Sequence, residues 1–417
     1  MSIRSTKNAL LKKISQVFGP GLITGASDDD PSGIATYSQA GTLFGLNTLW
    51  TAVFTFPLMA ALQEMCARIG LVTKKGLIGT IKAFYPRWLV VCIVLVSFTA
   101  IVLNIGADLA GMGAVANMLI PSIPSSVFST CIGLFLSYYI IVLPYAKIAF
   151  YLKWFCLSLL CYIIVPFLTK QDWHQVLKST FVPHIIWDKQ YLLIVIGILG
   201  TTISPYLFFW QTSMEVEEME EKKLIVDKKI IHEMQTDVKT GIFFSNLVFF
   251  FIILSTGTVL HSSGIKEIQT VDQAALALKP LAGKLTYLLF AVGVLGTGML
   301  AIPVLAGSVS YMVSEAFSWK EGLNKKFGEA KGFYFIMILS ILIAMSINFT
   351  GVSPVKALVV TAIIYGLTAP LIIFVILLVS NNKKIMGNYT NGKWSNILGA
   401  TSLLLMIAAG IMLLIIS

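Results

Sequence analysis

The chain has 417 residues, 57% hydrophobic and 12% charged, with a mean hydropathy of +0.84 and a formal net charge of +10. Soluble globular domains carry about 25% charged residues, so this composition excludes a soluble fold and implies an integral membrane protein with little room for a soluble domain. The surplus of bases does not point to nucleic acid: the lysines and arginines are scattered over short connections, where they set orientation in a bilayer.

In chain order, residues 1–16 carry Arg4, Lys7, Lys12 and Lys13 and read as a cytoplasmic N-terminus; no cleavable signal follows. A helical span needs roughly 20 apolar residues. Eleven are predicted, over 17–44, 47–70, 88–112, 124–144, 148–169, 191–214, 240–261, 283–313, 333–350, 354–380 and 395–416, which makes an all-α integral membrane protein. The tract 170–190, with Trp173, His174, His184 and Trp187, reads as an interfacial loop, and 215–239 as a short surface helix. With alternate connections on opposite sides, one side holds 23 of the 30 bases and the other 7. That asymmetry places the N-terminus in the cytoplasm. The five cysteines, Cys66, Cys92, Cys131, Cys156 and Cys161, lack metal-ligand spacing and read as small packing residues.

Two spans contain an interruption. Asp28-Asp29-Asp30-Pro31-Ser32-Gly33 lies in the middle of the first, and Gly200-Thr201-Thr202-Ile203-Ser204-Pro205 in the middle of the sixth. Each proline removes a backbone donor and disfavours helix in the residue before it, and Gly33 and Gly200 add local freedom. An offset of five spans inverts the second unit relative to the first. Paired interruptions in two halves are the sequence mark of a transporter's midplane site. The expected organisation is therefore repeat one over 17–170, an extracytoplasmic loop over 171–190, an inverted repeat two over 191–380, and an extra span over 395–416.

Unwound backbone exposes carbonyls, and Asp30 adds a full negative charge beside them, so the pair favours a cation. Ser27, Ser32, Thr201 and Ser204 are the other reachable oxygen donors, with no Cys, His or Met at either break. Oxygen-only ligation suits Mg²⁺, Ca²⁺ or Mn²⁺, and Mg²⁺ keeps several of its waters, for which small residues leave room. Asp28 and Asp29 have two readings: lining the access path, or carrying a proton because adjacent carboxylates do not all ionise cheaply. Glu64, one turn before Arg68, reads as an interfacial charge. Asp108, four residues after Asn104, is either a partner on a cytosolic cation path or a structural hydrogen-bonder. Asn246 and Asn348 read as helix–helix hydrogen bonds, Glu315 as interfacial, and Gly293 to Gly307 as close packing. The run Glu215, Glu217, Glu218, Glu220, Glu221 is a solvated acidic helix or an acidic exit vestibule. No constellation of His, Ser or Lys at matching depth suggests an enzyme.

These residues resemble the Nramp family of divalent-metal transporters. The resemblance rests on Gly19-Pro20-Gly21 ahead of Asp30-Pro31, Gln63 with Arg68-Ile69-Gly70-Leu71-Val72-Thr73, Asp108 in the third span, and Ser380-Asn381-Asn382 followed by Ile385-Met386-Gly387. It implies the LeuT-type inverted repeat with broken helices one and six. The chain departs from the family's pattern at three places. Asp30-Pro31-Ser32-Gly33 stands for the usual Asp-Pro-Gly-Asn, Thr201-Thr202-Ile203-Ser204-Pro205-Tyr206 for Ala-x-x-Met-Pro-His, and Gly111 for a glutamate three residues after Asp108. The soft Met ligand and the proton-relay His and Glu are thus absent. This pattern is similar to the Nramp-related magnesium transporter branch, which implies carriage of Mg²⁺, and Mn²⁺ as well, without proton coupling.

The expectation is an inner-membrane carrier of divalent cations working by alternating access, a monomer with no cofactor. Its metal site comprises Asp30 as the charged ligand, carbonyls of Ser27 and Thr201, an oxygen or water contact from Ser204, space at Gly33, and Asp29 acting through water or a neighbouring group. The alternative is a proton-coupled Mn²⁺/Fe²⁺ importer.

Overall fold

The computed structural model describes residues 20–142 and 157–416. The described residues are helical apart from the connections between helices, with no strand among them. In order, the principal helices are α1 (Pro20–Asp28), α2 (Pro31–Phe44), α3 (Trp50–Thr73), α4 (Leu77–Phe84), α5 (Arg87–Leu119), α6 (Ser125–Val142), α7 (Cys161–Leu168), α8 (Trp173–Phe181), α9 (Lys189–Thr202), α10 (Pro205–Lys222), α11 (Lys228–Thr256), α12 (Thr286–Phe317), α13 (Lys331–Ser346), α14 (Pro354–Asn381) and α15 (Lys393–Ile416). Nine helical stretches among the described residues are long and apolar enough to cross a membrane. The broken pair α1–α2 and the short apolar α7 account for the remaining two of the eleven expected spans. Residues 1–19, the basic segment 147–153, Cys156 and the first part of the fifth span, 148–156, lie outside the described residues.

Helices form here because a backbone in lipid must satisfy its own polar groups. Close packing then depends on glycine. A Cβ on Gly25 would lie 2.3 Å from the Gly241 carbonyl, which brings α1 onto α11. In α12, a Cβ on Gly298 would meet Met112 Sδ at 2.4 Å and one on Gly307 would meet the Trp210 ring at 2.8 Å, as the small-residue run suggested. The outermost helix, α15, buries little of itself.

Several elements differ from expectation. The tract 170–190 is not a loop throughout: Asp172 caps α8 by accepting from His174 N (3.0 Å) and Gln175 N (3.2 Å). No separate surface helix covers 215–239. Instead α10 and α11 extend past the apolar region and meet at 223–227. Only Cys66 among the described cysteines is fully buried, and Cys131 is exposed. Asn246 accepts from Thr55 Oγ1 (3.3 Å) and so links α3 to α11, but Asn348 finds no partner among the described residues.

Glu64 pairs with Arg68, one turn on, and both are buried. Arg68 Nε lies 3.0 Å from Glu64 Oε1, both side chains being about nine-tenths buried. Arg68 also donates to the Tyr389 carbonyl (2.8 Å) and Asn391 Oδ1 (2.6 Å), while Gln235 Nε2 donates to Glu64 (3.1 Å). This network ties α3 to α11 and to the segment joining α14 and α15. Removing one partner leaves a buried charge alone. Arg68→Met is therefore expected to destabilise the fold by about 3–5 kcal/mol, seen as a lowered melting temperature in detergent.

Candidate functional site

Both interruptions have the same construction. Asp29 and Asp30 leave the helix between α1 and α2, and Ile203 and Ser204 do so between α9 and α10. Each second half begins on proline, at Pro31 and at Pro205, where the missing N–H costs nothing. The residue before each proline is extended, with φ −69° and ψ 170° at Asp30 and φ −72° and ψ 125° at Ser204. The last carbonyls of α1 and α9 and the first amides of α2 and α10 thus meet in the protein interior.

The two breaks touch. A Cβ on Gly33 would lie 3.2 Å from Thr201 Oγ1 and 3.4 Å from the Asp28 carbonyl and Asp30 Oδ1. Tyr206 OH donates to the Ser27 carbonyl (2.9 Å), which ties α10 to the end of α1. Ser204 Oγ turns back on its own helix, donating to the carbonyls of Thr201 (2.5 Å) and Gly200 (3.1 Å). Asp30, Ser27, Gly33, Thr201 and Ser204 therefore stand together, and Asp29 adjoins them with its Oδ1 unpartnered. Gly200 serves a purpose other than local freedom. A Cβ there would meet the Ala362 carbonyl at 2.0 Å, so its role is to let α9 lie against α14.

Asp30 caps α2 by accepting from Gly33 N (2.6 Å) and also accepts from Asn104 Nδ2 on α5 (2.9 Å). Asp108, left open by the sequence, reaches the same place: its Oδ1 accepts from Ser32 N (3.2 Å) and its Oδ2 from Asn104 Nδ2 (3.2 Å). Ser32 Oγ donates to the Leu358 carbonyl on α14 (2.7 Å). Asp28 accepts from Ser245 Oγ on α11 (2.5 Å), and its Oδ1 has no partner. The i, i+4 pair on α5 was a visible signal; nothing in the sequence marked Ser245 or Leu358.

Asp28, Asp29, Asp30 and Asp108 are each at most 4% exposed, and among the described residues no lysine, arginine or histidine pairs with any of them. Nor do three His, Cys, Asp or Glu side chains converge there as a ready-made metal cage. An ion at this place would draw on carbonyls, the Asn104 amide and water besides carboxylate.

Both ends are closed. At the end rich in lysine, Gly21 N donates to Asp237 Oδ2 (2.7 Å) and Thr24 Oγ1 to Gln211 Oε1 (2.5 Å), fastening α1 to α11 and α10. At the other end, Ile268 N donates to Gln39 Oε1 (2.9 Å). There an open cavity of about 670 Å³ between α2, α9 and α14 stops above an apolar gap of about 20 Å³ lined by Pro31, Ile34, Val271 and Leu358.

The acidic run after the sixth span is neither fully solvated nor a plain acidic vestibule. Glu215 is buried and accepts from Gln211 Nε2 (2.8 Å), Glu217 is bound by Tyr311 OH and by Leu323 N, and Glu218 pairs with Lys222. Glu315 caps α4 through Gly79 N (2.7 Å) and accepts from Ser213 Oγ (2.9 Å). Glu217, Glu220, Glu315 and Glu321 line a cavity of about 490 Å³ together with Lys74, Lys75, Lys82 and Lys325. Burial and the neighbouring Glu315 hold the Glu321 carboxyl well above the usual carboxylate range.

The fold and this interior define a multi-pass helical membrane protein with two interrupted helices meeting at buried carboxylates. The chain belongs to the natural resistance-associated macrophage protein-like (Nramp) family, whose model matches residues 21–416. It is 24% identical to the divalent metal cation transporter MntH of Caldanaerobacter subterraneus over 401 residues, which is 93% of this chain and 90% of the relative. It is 21% identical to MntH of Bacillus subtilis over 400 residues, 95% and 91% of the two chains. A solved manganese transporter of Eremococcus coleocola, in complex with an aromatic bis-isothiourea compound, has the same fold, with a TM-score of 0.75 at 19% identity, over 96% of this chain and 86% of that one. The family is one of metal-ion transporters, not of enzymes.

Proposed function

We propose that this protein carries divalent metal cations across the membrane by alternating access, that it takes Mg²⁺ and Mn²⁺, and that it does so without proton coupling. The observation that carries the reading is the set of four buried aspartates at the break with no basic partner among the described residues. A buried charge in a membrane needs an opposite charge, and a transported cation supplies it. The ligand set is Asp30 with the Ser27 and Thr201 carbonyls, Ser204, space at Gly33, and Asp29 acting through water. The halves 17–170 and 191–380 act as inverted repeats that rock about this site. The basic end faces the cytoplasm, the membrane is a bacterial-type inner membrane, and the carrier works as a monomer.

The preference for a hydrated hard ion is supported by the oxygen-only surroundings and the small residues Ser32, Gly33 and Ser204. Absence of a proton relay is supported by Tyr206, whose hydroxyl is engaged by the Ser27 carbonyl, and by Gly111, where a Cβ would already lie 2.9 Å from Leu358 Cδ1. A second reading is a proton-coupled Mn²⁺/Fe²⁺ importer; the names of the relatives, those of manganese and divalent metal transporters, support its manganese part. Calorimetric titration of the purified protein with Mn²⁺, repeated in the presence of Mg²⁺, Ca²⁺ or Fe²⁺, separates the two. The carrier of hard ions shows Mn²⁺ displaced by millimolar Mg²⁺; the other reading predicts displacement by Fe²⁺ and not by Mg²⁺.

A further inference from the structure

Asn104 lies one helical turn before Asp108 on α5 and is wholly buried. Its Nδ2 donates to Asp30 Oδ2 (2.9 Å) and Asp108 Oδ2 (3.2 Å), while its Oδ1 has no hydrogen-bond partner. Two carboxylates from different helices thus converge on one neutral amide. The amide's own oxygen is left unsatisfied, which is unfavourable in a buried place unless a ligand uses it.

An amide has a donor face and an acceptor face, and a half-turn about its last torsion exchanges them. Between two carboxylates with no ion present, the donor face is favoured. With a divalent cation beside those carboxylates, the N–H₂ group is repelled and the oxygen is attracted. The remaining contacts allow this exchange. Asp30 Oδ1 keeps Gly33 N and Asp108 Oδ1 keeps Ser32 N, so a turn of Asn104 frees Oδ2 on each aspartate and leaves each carboxylate anchored through its other oxygen.

We infer that Asn104 is a positioning residue of the cation site: it bridges Asp30 and Asp108 when the site holds no ion, and turns its Oδ1 to the ion, or to a water on it, when one arrives. The inference rests on the transport reading above and extends the site to a third helix. It also assigns Asp108 a place at the site.

The test compares Asn104→Leu, which removes both faces, with Asn104→Asp, which keeps only an acceptor. Mn²⁺ binding is measured by calorimetry on the purified full chain, alongside melting temperatures with and without Mn²⁺. Asn104→Leu is expected to bind Mn²⁺ about tenfold more weakly, the lower range for loss of a group that orients a metal ligand. Asn104→Asp is expected to bind at least as tightly as the wild type and to gain more in melting temperature from Mn²⁺. A merely structural donor predicts the reverse order, because a third carboxylate would repel the other two. Wild-type affinity in Asn104→Leu, or weaker binding in Asn104→Asp than in Asn104→Leu, overturns the inference. If Asn104→Leu does not fold, the sign of the change in Asn104→Asp decides. A wild-type protein that fails to bind Mn²⁺ overturns the transport reading itself, and this control separates the two failures.

Discussion

Replacing Asp30 with alanine is expected to abolish divalent-cation uptake, with a loss on the order of a hundredfold or more, above that for a group that only orients a ligand. Asp30 stands in the first break itself and reaches α5, accepting from Gly33 N and Asn104 Nδ2. Its removal takes away the carboxylate that lies against Gly33 N and Asn104 Nδ2. Alanine also removes the cap of α2, at about 0.5–2 kcal/mol, so a folding defect has to be told apart from a site defect. Asp30→Asn does this. Its amide oxygen still accepts from Gly33 N, so the variant is expected to fold like the wild type and still not transport. The check is initial-rate uptake of Mg²⁺ and Mn²⁺ in proteoliposomes, with melting temperature as the folding control. Wild-type rates in Asp30→Ala would show that the charge is not used.

Ser204→Met is expected to shift preference toward the softer ion, raising the ratio of Mn²⁺ to Mg²⁺ uptake by about tenfold through a thioether that suits later metals. Ser204 stands at the second break, immediately before Pro205, and is 1% exposed. Its hydroxyl now spends its proton on the Thr201 and Gly200 carbonyls. Methionine releases those carbonyls and brings a sulfur to the same place. Mg²⁺, which holds its waters and binds oxygen, loses by the exchange, while Mn²⁺ tolerates it. Uptake of each ion measured in competition with the other gives the ratio directly. An unchanged ratio in a folded variant would remove Ser204 from the site.

Spans and breaks could be read from sequence for a physical reason. Lipid forces each crossing segment to be apolar and about the length of the bilayer core, and proline marks a helix interruption through its own chemistry, as at Asp30-Pro31 and Ser204-Pro205. Asp108 and Asn104 stood out as polar residues on one face, but which break they reach depends on how α5 packs, and a single chain's pattern does not encode that. The same holds for Tyr206 on the Ser27 carbonyl and Ser245 on Asp28: both are ordinary residues until the helices meet. Gly200 was misread because its value lies in a neighbour's backbone, at Ala362 and Gly366, and not in its own torsions. The acidic run was legible only in part: Glu218 pairs with Lys222 and Glu220 and Glu221 are exposed, as a solvated helix requires, but Glu215 and Glu217 are held by Gln211 and Tyr311, which only the packing of the helices brings to them.

The most direct measurement is Mg²⁺ influx into liposomes containing the purified wild-type protein, recorded together with lumenal pH and without an imposed pH gradient. The account predicts saturable influx that Mn²⁺ inhibits and that leaves lumenal pH unchanged. Influx no greater than in protein-free liposomes, or influx accompanied by acidification in proportion to the metal carried, would contradict it.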